Sequence, residues 1–172
     1  MARAKQPPML FAIDTNPLID WAQGYEDTLE SFHLIRQRIP GVSIIVPPTV
    51  LHELGYFAQT NSKRLGSSAI KALELIRDEP LLKPINLVPV GHGIVGINAW
   101  KIRQRGLIDD DEVHDSMILA EAGLLECSVL LTSDSHLTGI DPKMLFEVMK
   151  DFDGSIPIIR SPRQILKQFG SK

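Results

Sequence analysis

The sequence predicts an α/β fold, a parallel sheet with helices on both faces. Three observations predict it. Short apolar runs bounded by polar residues read as strands buried on both sides. These runs alternate with stretches of helical period, the pattern of βαβ units. Two of the runs lead into aspartates, Asp14 directly and Asp134 after Thr132 and Ser133. That is where open α/β sheets bind their ligands. With 172 residues the chain can build one good core but not two large ones. No repeat, low-complexity tract or linker interrupts it. A single domain is therefore expected over 1–172, with its core at about 10–160 and a C-terminal helix at about 161–169.

The elements follow in order. Leu10 to Ile13 is strand one. Asn16-Pro17 starts a short helix through Leu18, Ile19 and Trp21, which Gly24 ends. A second helix runs from about Glu26 to Arg38, with Leu29, Phe32, Ile35 and Arg36 near one face. Pro40-Gly41 breaks the chain, and Ser43 to Val46 is strand two, stopped by Pro47-Pro48. Thr49 can cap a helix that begins at Val50 and carries Leu51, Glu53, Leu54 and Phe57. A polar segment, Thr60 to Ser68, leads to a helix from about Ser68 to Arg77. Pro80 to Pro84 reads as a loop and Ile85 to Val90 as strand three. Gly91, Gly93 and Gly96 suggest a flexible entry to a helix near Asn98 to Arg105. After a turn over Leu107 to Asp111, a helix is expected from Glu112 to Leu125, then strand four at Ser128 to Leu131. Asp141-Pro142 opens a helix to about Lys150. Ile156 to Ile159 is the last strand, its Pro157 indicating an edge, and Ser161-Pro162 starts a helix to Phe169.

Composition narrows the function. Apolar residues make up 44% and charged residues 23%, ordinary for a globular protein. No apolar run is long enough to span a membrane, and the N-terminus lacks a signal-like core, so a cytoplasmic protein is expected. The single Cys127 excludes an internal disulfide and a cysteine zinc site. Net charge is −3, which argues against nonspecific coating of nucleic acid. It does not argue against a nuclease, because bound cations supply positive charge that the count omits.

The acids carry the chemistry. Asp115 shares a helix face with Ile118, Leu119 and Ala122, and Glu53 shares one with Val50, Leu54 and Phe57. Each acid opens a stripe that is otherwise apolar, and a buried unpaired carboxylate is costly. With Asp14 and Asp134 they make four acids able to converge beyond the strand ends. Such a group repels itself unless a cation sits between its members. Oxygen donors with few neighbouring histidines suit Mg²⁺ or Mn²⁺. Phosphodiester hydrolysis is the natural reaction of such a site.

Four motifs then stand in order: Ile13-Asp14-Thr15-Asn16, Val50-Leu51-His52-Glu53-Leu54, His114-Asp115-Ser116-Met117-Ile118-Leu119-Ala120 and Leu131-Thr132-Ser133-Asp134. In this the chain resembles the PIN-domain family, from about Leu10 to Ile159. The resemblance implies a three-layer α/β/α, Rossmann-like fold with a central parallel sheet, and a ribonuclease dependent on Mg²⁺ or Mn²⁺. It implies that Asp14, Glu53, Asp115 and Asp134 are the catalytic and metal-binding quartet, supported by the polar residues Thr15, Asn16, Thr132 and Ser133. Many bacterial members are toxins held by an antitoxin and often dimerise. An RNA substrate, an antitoxin protein and a homodimer are thus the implied partners. The chain departs from a compact toxin in its extra length near 60–68 and 91–110. Within the acidic run Asp109 to Glu112, Asp111 is either an extra metal ligand or a helix-capping acid.

His52, His114 and His136 adjoin quartet members in sequence, but neighbours on a helix point about 100° apart, so exposed or packing histidines are expected. Trp21 is expected to pack, and Trp100, beside Lys101 and Arg103, to be more open. A haloacid-dehalogenase-type phosphatase wants an aspartate where Asn16 stands. A phosphorelay receiver wants one after its third strand, where none is found. A noncatalytic domain of this fold that binds RNA or protein, and a structure-specific DNA nuclease, are the remaining alternatives.

Overall fold

Phe11, Ala12 and Ile13 are almost wholly excluded from solvent. A strand paired along both edges and covered on both faces requires this. They lie in β1 (Leu10–Ile13), the middle strand of the sheet. The computed structural model describes residues 8–60 and 63–170. The other strands are β2 (Ser43–Val46), β3 (Leu82–Pro84), β4 (Val129–Leu131) and β5 (Ile158–Arg160). Their order is β3-β2-β1-β4-β5, and every pairing is parallel. Helices flank the sheet in a three-layer α/β/α arrangement. The chain builds outward from β1 to β2 and β3, then returns to β1's other edge with β4. Strand order therefore reverses between β1 and β4, and the crevice at their carboxyl ends is the usual ligand position. The Asp14 N–H closes this junction by donating to the Leu131 carbonyl at 2.8 Å.

Helix α1 (Thr15–Gln23) starts directly after Asp14 and ends at Gly24, whose φ of +80° suits glycine. Helix α2 (Glu26–Arg38) has the expected bounds, and Trp21 stacks on Phe32 with ring centroids 4.0 Å apart. Both rings belong to the core, whereas Trp100 is exposed. The remaining helices are α3 (Pro48–Gln59), α4 (Lys63–Asp78), α5 (Pro89–Gln104), α6 (Val113–Leu124), α7 (Ser135–Thr138), α8 (Pro142–Met149) and α9 (Pro162–Phe169). Ser161 caps α9 in a reciprocal box with Gln164. Among the described residues no helix is long and apolar enough to cross a membrane.

Several expectations are corrected. The third strand is Leu82–Pro84, not Ile85 to Val90. The Ile85 N–H still reaches the Val46 carbonyl at 3.2 Å, but β2 then ends at Pro47 and leaves the next residues no strand to pair with. Gly91, Gly93 and Gly96 lie inside α5, which begins at Pro89 rather than near Asn98. Proline presets the first turn, and burial of Val95, Ala99 and Ile102 offsets the low helical preference of glycine. Helix α4 starts at Lys63 rather than about Ser68, and Gly66 lets its backbone lie close to the carbonyls of Phe57 and Thr60. Asn61 and Ser62 of the expected polar segment lie outside the described residues. Thr49 does not cap α3, which starts at Pro48, two residues before the expected Val50, with Pro47 at its cap. β5 lies beyond Pro157 rather than across it, though it is at the edge as expected. His136 stands in the short helix α7.

Candidate active site

The four acids gather at the junction of β1 and β4. Asp14 is held on both carboxylate oxygens. The Thr15 N–H donates to Oδ1 at 2.6 Å, and the Thr132 hydroxyl donates to Oδ2 at 2.7 Å. Thr132, wholly buried, also accepts the Asp134 N–H at 3.0 Å. Asp134 caps α7 by accepting the His136 N–H at 2.6 Å. On α3, Glu53 accepts the Thr15 hydroxyl on one oxygen and meets His114 Nδ1 at 2.7 Å on the other. Asp115, in the first turn of α6, keeps a buried Oδ2 with no hydrogen-bond partner among the described residues.

The carboxyl pKa values reflect this proximity. Burial, reinforced by the charges of Glu53 and Asp134, pushes the Asp14 carboxyl up to about 6, against the pull of its bonds from Thr132 and Thr15. Burial, then repulsion from Asp14, Asp134, Glu112 and Glu53, pushes Asp115 up to about 7. Each acid therefore stands within electrostatic reach of others in the set. The side chains do not form a closed cage: among the described residues no three His, Cys, Asp or Glu side chains are grouped to hold an ion. The donor set is nonetheless what a hard divalent cation takes, all carboxylate oxygen, with one buried oxygen unpaired and two acids biased against charge. In chemistry the residues fit such a cation.

The remaining expected residues divide. Thr15 and Thr132 bond directly to the acids. Asn16 and Ser133 are exposed. Ser133 lines a separate cavity of about 530 Å³ with Asp20, Tyr25 and Arg163. Asp111 is exposed in the turn before α6; within its acidic run, Glu112 is the residue whose charge acts on Asp115. His52 is exposed, and His136 lies 3.7 Å from Glu112.

Two features were missed in the sequence. His114 touches Glu53 across helices, which spacing within one helix does not reveal. Glu121 of α6 is a second buried acid, 1% exposed. It accepts the Thr49 hydroxyl at 2.8 Å and the Thr49 N–H at 3.2 Å. Burial pushes its carboxyl up to about 7, while the bonds from Thr49 pull it down. A charge between Ala120 and Ala122 in so apolar a helix was the available signal. Glu121, Thr49, Glu53 and His114 all line a groove of about 760 Å³ between α3 and α6.

Comparison with known proteins adds two findings. The family model described as PIN domain matches residues 11–141. A chain in the crystal structure of VapBC2 from Rickettsia felis, bound to a DNA fragment from their promoter, superposes with a TM-score of 0.61. It is 18% identical, and the match covers 89% of this chain and 98% of that one. At such identity the likeness shows the fold. No curated protein matches the sequence.

Proposed function

Since this chain belongs to the PIN-domain family, whose members are generally nucleases, we propose that it is a metal-dependent endoribonuclease. The unpaired, buried Oδ2 of Asp115, set among three other acids, is the observation that carries this reading. Asp14, Glu53, Asp115 and Asp134 would hold one or two Mg²⁺ or Mn²⁺ ions. When bound, such a cation polarises a phosphoryl oxygen and lowers the pKa of water. The protein's own groups do the rest. Thr132 and the Thr15 N–H fix the Asp14 carboxylate, and the Thr15 hydroxyl turns Glu53 toward it. A carboxylate oxygen of the cluster accepts the proton of the attacking water. The new bond forms at phosphorus, the bond to the leaving ribose oxygen breaks, and that oxygen takes up a proton.

The likeness to a VapBC2 chain supports a further part of the reading, an antitoxin protein as partner; a second copy of the chain belongs to the same proposal. Exposed Val90, Ile97 and Trp100 on α5 offer apolar surface for protein contact. A cytoplasmic site of action goes with this role.

The test is cleavage of labelled RNA and single-stranded DNA with Mg²⁺, with Mn²⁺ and with EDTA, beside Asp14→Asn. RNA is expected to be cut only with metal. The variant is expected to lose at least about 10²-fold, the scale of one electrostatic group in a reacting site. Undiminished cleavage by Asp14→Asn in a contaminant-free preparation would sink the reading. Cleavage of DNA alone would move it to a DNA nuclease.

A further inference from the structure

We propose that the groove between α3 and α6 is a guanine-binding pocket, in which Glu121 reads the edge of the base and Tyr56 and neighbouring histidines hold its faces. The inference rests on the nuclease reading only in taking RNA as the occupant.

Position comes first. Glu53 and His114 line the groove and also belong to, or touch, the acidic cluster. A nucleotide whose base entered the groove would carry its backbone past Glu53. Size is the second point. The volume of about 760 Å³ accommodates a base with its ribose and falls within the usual range of small-molecule sites. A guanidinium group from a protein partner would leave most of it empty. Third, the walls offer flat faces. Tyr56 and His52 stand exposed along α3, and His92 stands exposed at the start of α5. Unstacked RNA bases are bound on such aromatic faces.

The inner end supplies discrimination. Among the described residues, every hydrogen bond that Glu121 accepts comes from Thr49, and Oε2 receives only one, the backbone N–H at 3.2 Å. A carboxylate has about four acceptor sites and takes two parallel N–H groups well. Glu121 therefore has capacity for further donors, and its raised carboxyl pKa shows that burial leaves the charge under-compensated. Among RNA bases, only guanine presents two adjacent donors on one edge, its ring N–H and its amino group. Adenine and cytosine set an acceptor beside their amino group, and uracil sets carbonyls on both sides of its N–H. Those acceptors would face the carboxylate and be repelled.

The test is an NMR titration of the full chain in EDTA with guanosine, adenosine, cytidine and uridine, which carry no phosphate for the acids to repel. Guanosine is expected to bind roughly tenfold or more tightly than the others, the scale of a bidentate base contact. Glu121→Gln should erase that preference, and Tyr56→Ala, at an exposed position, should weaken all four alike. Equal binding of the four nucleosides, or binding of none, overturns the proposal. So does an arginine peptide that binds through Glu121 where no nucleoside does, which would assign the groove to a protein partner. Guanosine preference in a protein that cuts no RNA keeps this inference and ends the ribonuclease reading. RNA cleavage without guanosine preference does the reverse.

Discussion

Asp115 and Glu121 sit on the same helix, and burial lifts both carboxyls to about 7. Their surroundings differ. Glu121 is met by a hydroxyl and an N–H from Thr49, so α3 supplies part of what burial takes away. Asp115 is met by other acids and keeps an oxygen with no donor. The first arrangement is the ordinary way to bury a polar group. The second is unfavourable unless something absent from the polypeptide completes it. The contrast teaches that burial alone does not mark a reacting group; burial without a donor does.

Three experiments sharpen or break this contrast. The largest effect belongs to Asp115→Asn. Cleavage should fall at least about 10²-fold, while the metal-free protein becomes more stable above pH 7. The sign follows from the raised pKa. The folded state keeps its proton to about pH 7, the unfolded chain loses it near 4, and wild-type stability falls across that interval. A cleavage assay checks the first half, and thermal unfolding with and without Mn²⁺ checks the second. The ion should raise the melting temperature of wild type and not of the variant. A variant that gains as much from Mn²⁺ as wild type would remove Asp115 from the metal-binding set.

Glu121→Gln comes next. Its folded pKa of about 7 also lies above the ordinary glutamate value of 4.5, so wild type loses stability as pH rises from about 4.5 to 7. The variant should exceed wild type by up to about 3 kcal/mol at pH 8, and by almost nothing at pH 4. Urea midpoints at the two pH values measure this. A variant weaker at both would mean that the Thr49 bonds depend on the full carboxylate. The smallest effect is expected from His114→Ala. The His114 side of its contact with Glu53 is open to water, and such partly exposed pairs contribute about 1 kcal/mol or less. A larger change in urea midpoint would show that His114 holds Glu53 in place.

How far the sequence reveals this molecule depends on where each element draws its stability. β1, β2, α2 and α9 carry their own bounds, because breakers such as Gly24, Pro40-Gly41 and Ser161-Pro162 stand beside them. The stretch from Pro80 to Arg105 does not. Its strand is set by where β2 stops, and its glycine-containing helix by burial of Val95, Ala99 and Ile102. These are tertiary causes that override local preference. The acids were legible for the same reason as the good strands, since each breaks an apolar pattern at a strand end or on a helix face. Glu121 breaks its pattern too but stands in no strand-end motif. The contacts of His114 with Glu53 and of Thr49 with Glu121 join separate helices and exist only after packing.

The pairing of Phe11 with Val129 also has a meaning in time. While the chain is being made, β1 can find β2 and β3 early, but β4 and Asp134 come 120 residues after Asp14. At about 5–20 residues per second that is a delay of roughly 6–24 s. Through that interval the nascent chain holds part of the acidic cluster and lacks its last member. The four acids can come together only after the chain through Asp134 has emerged.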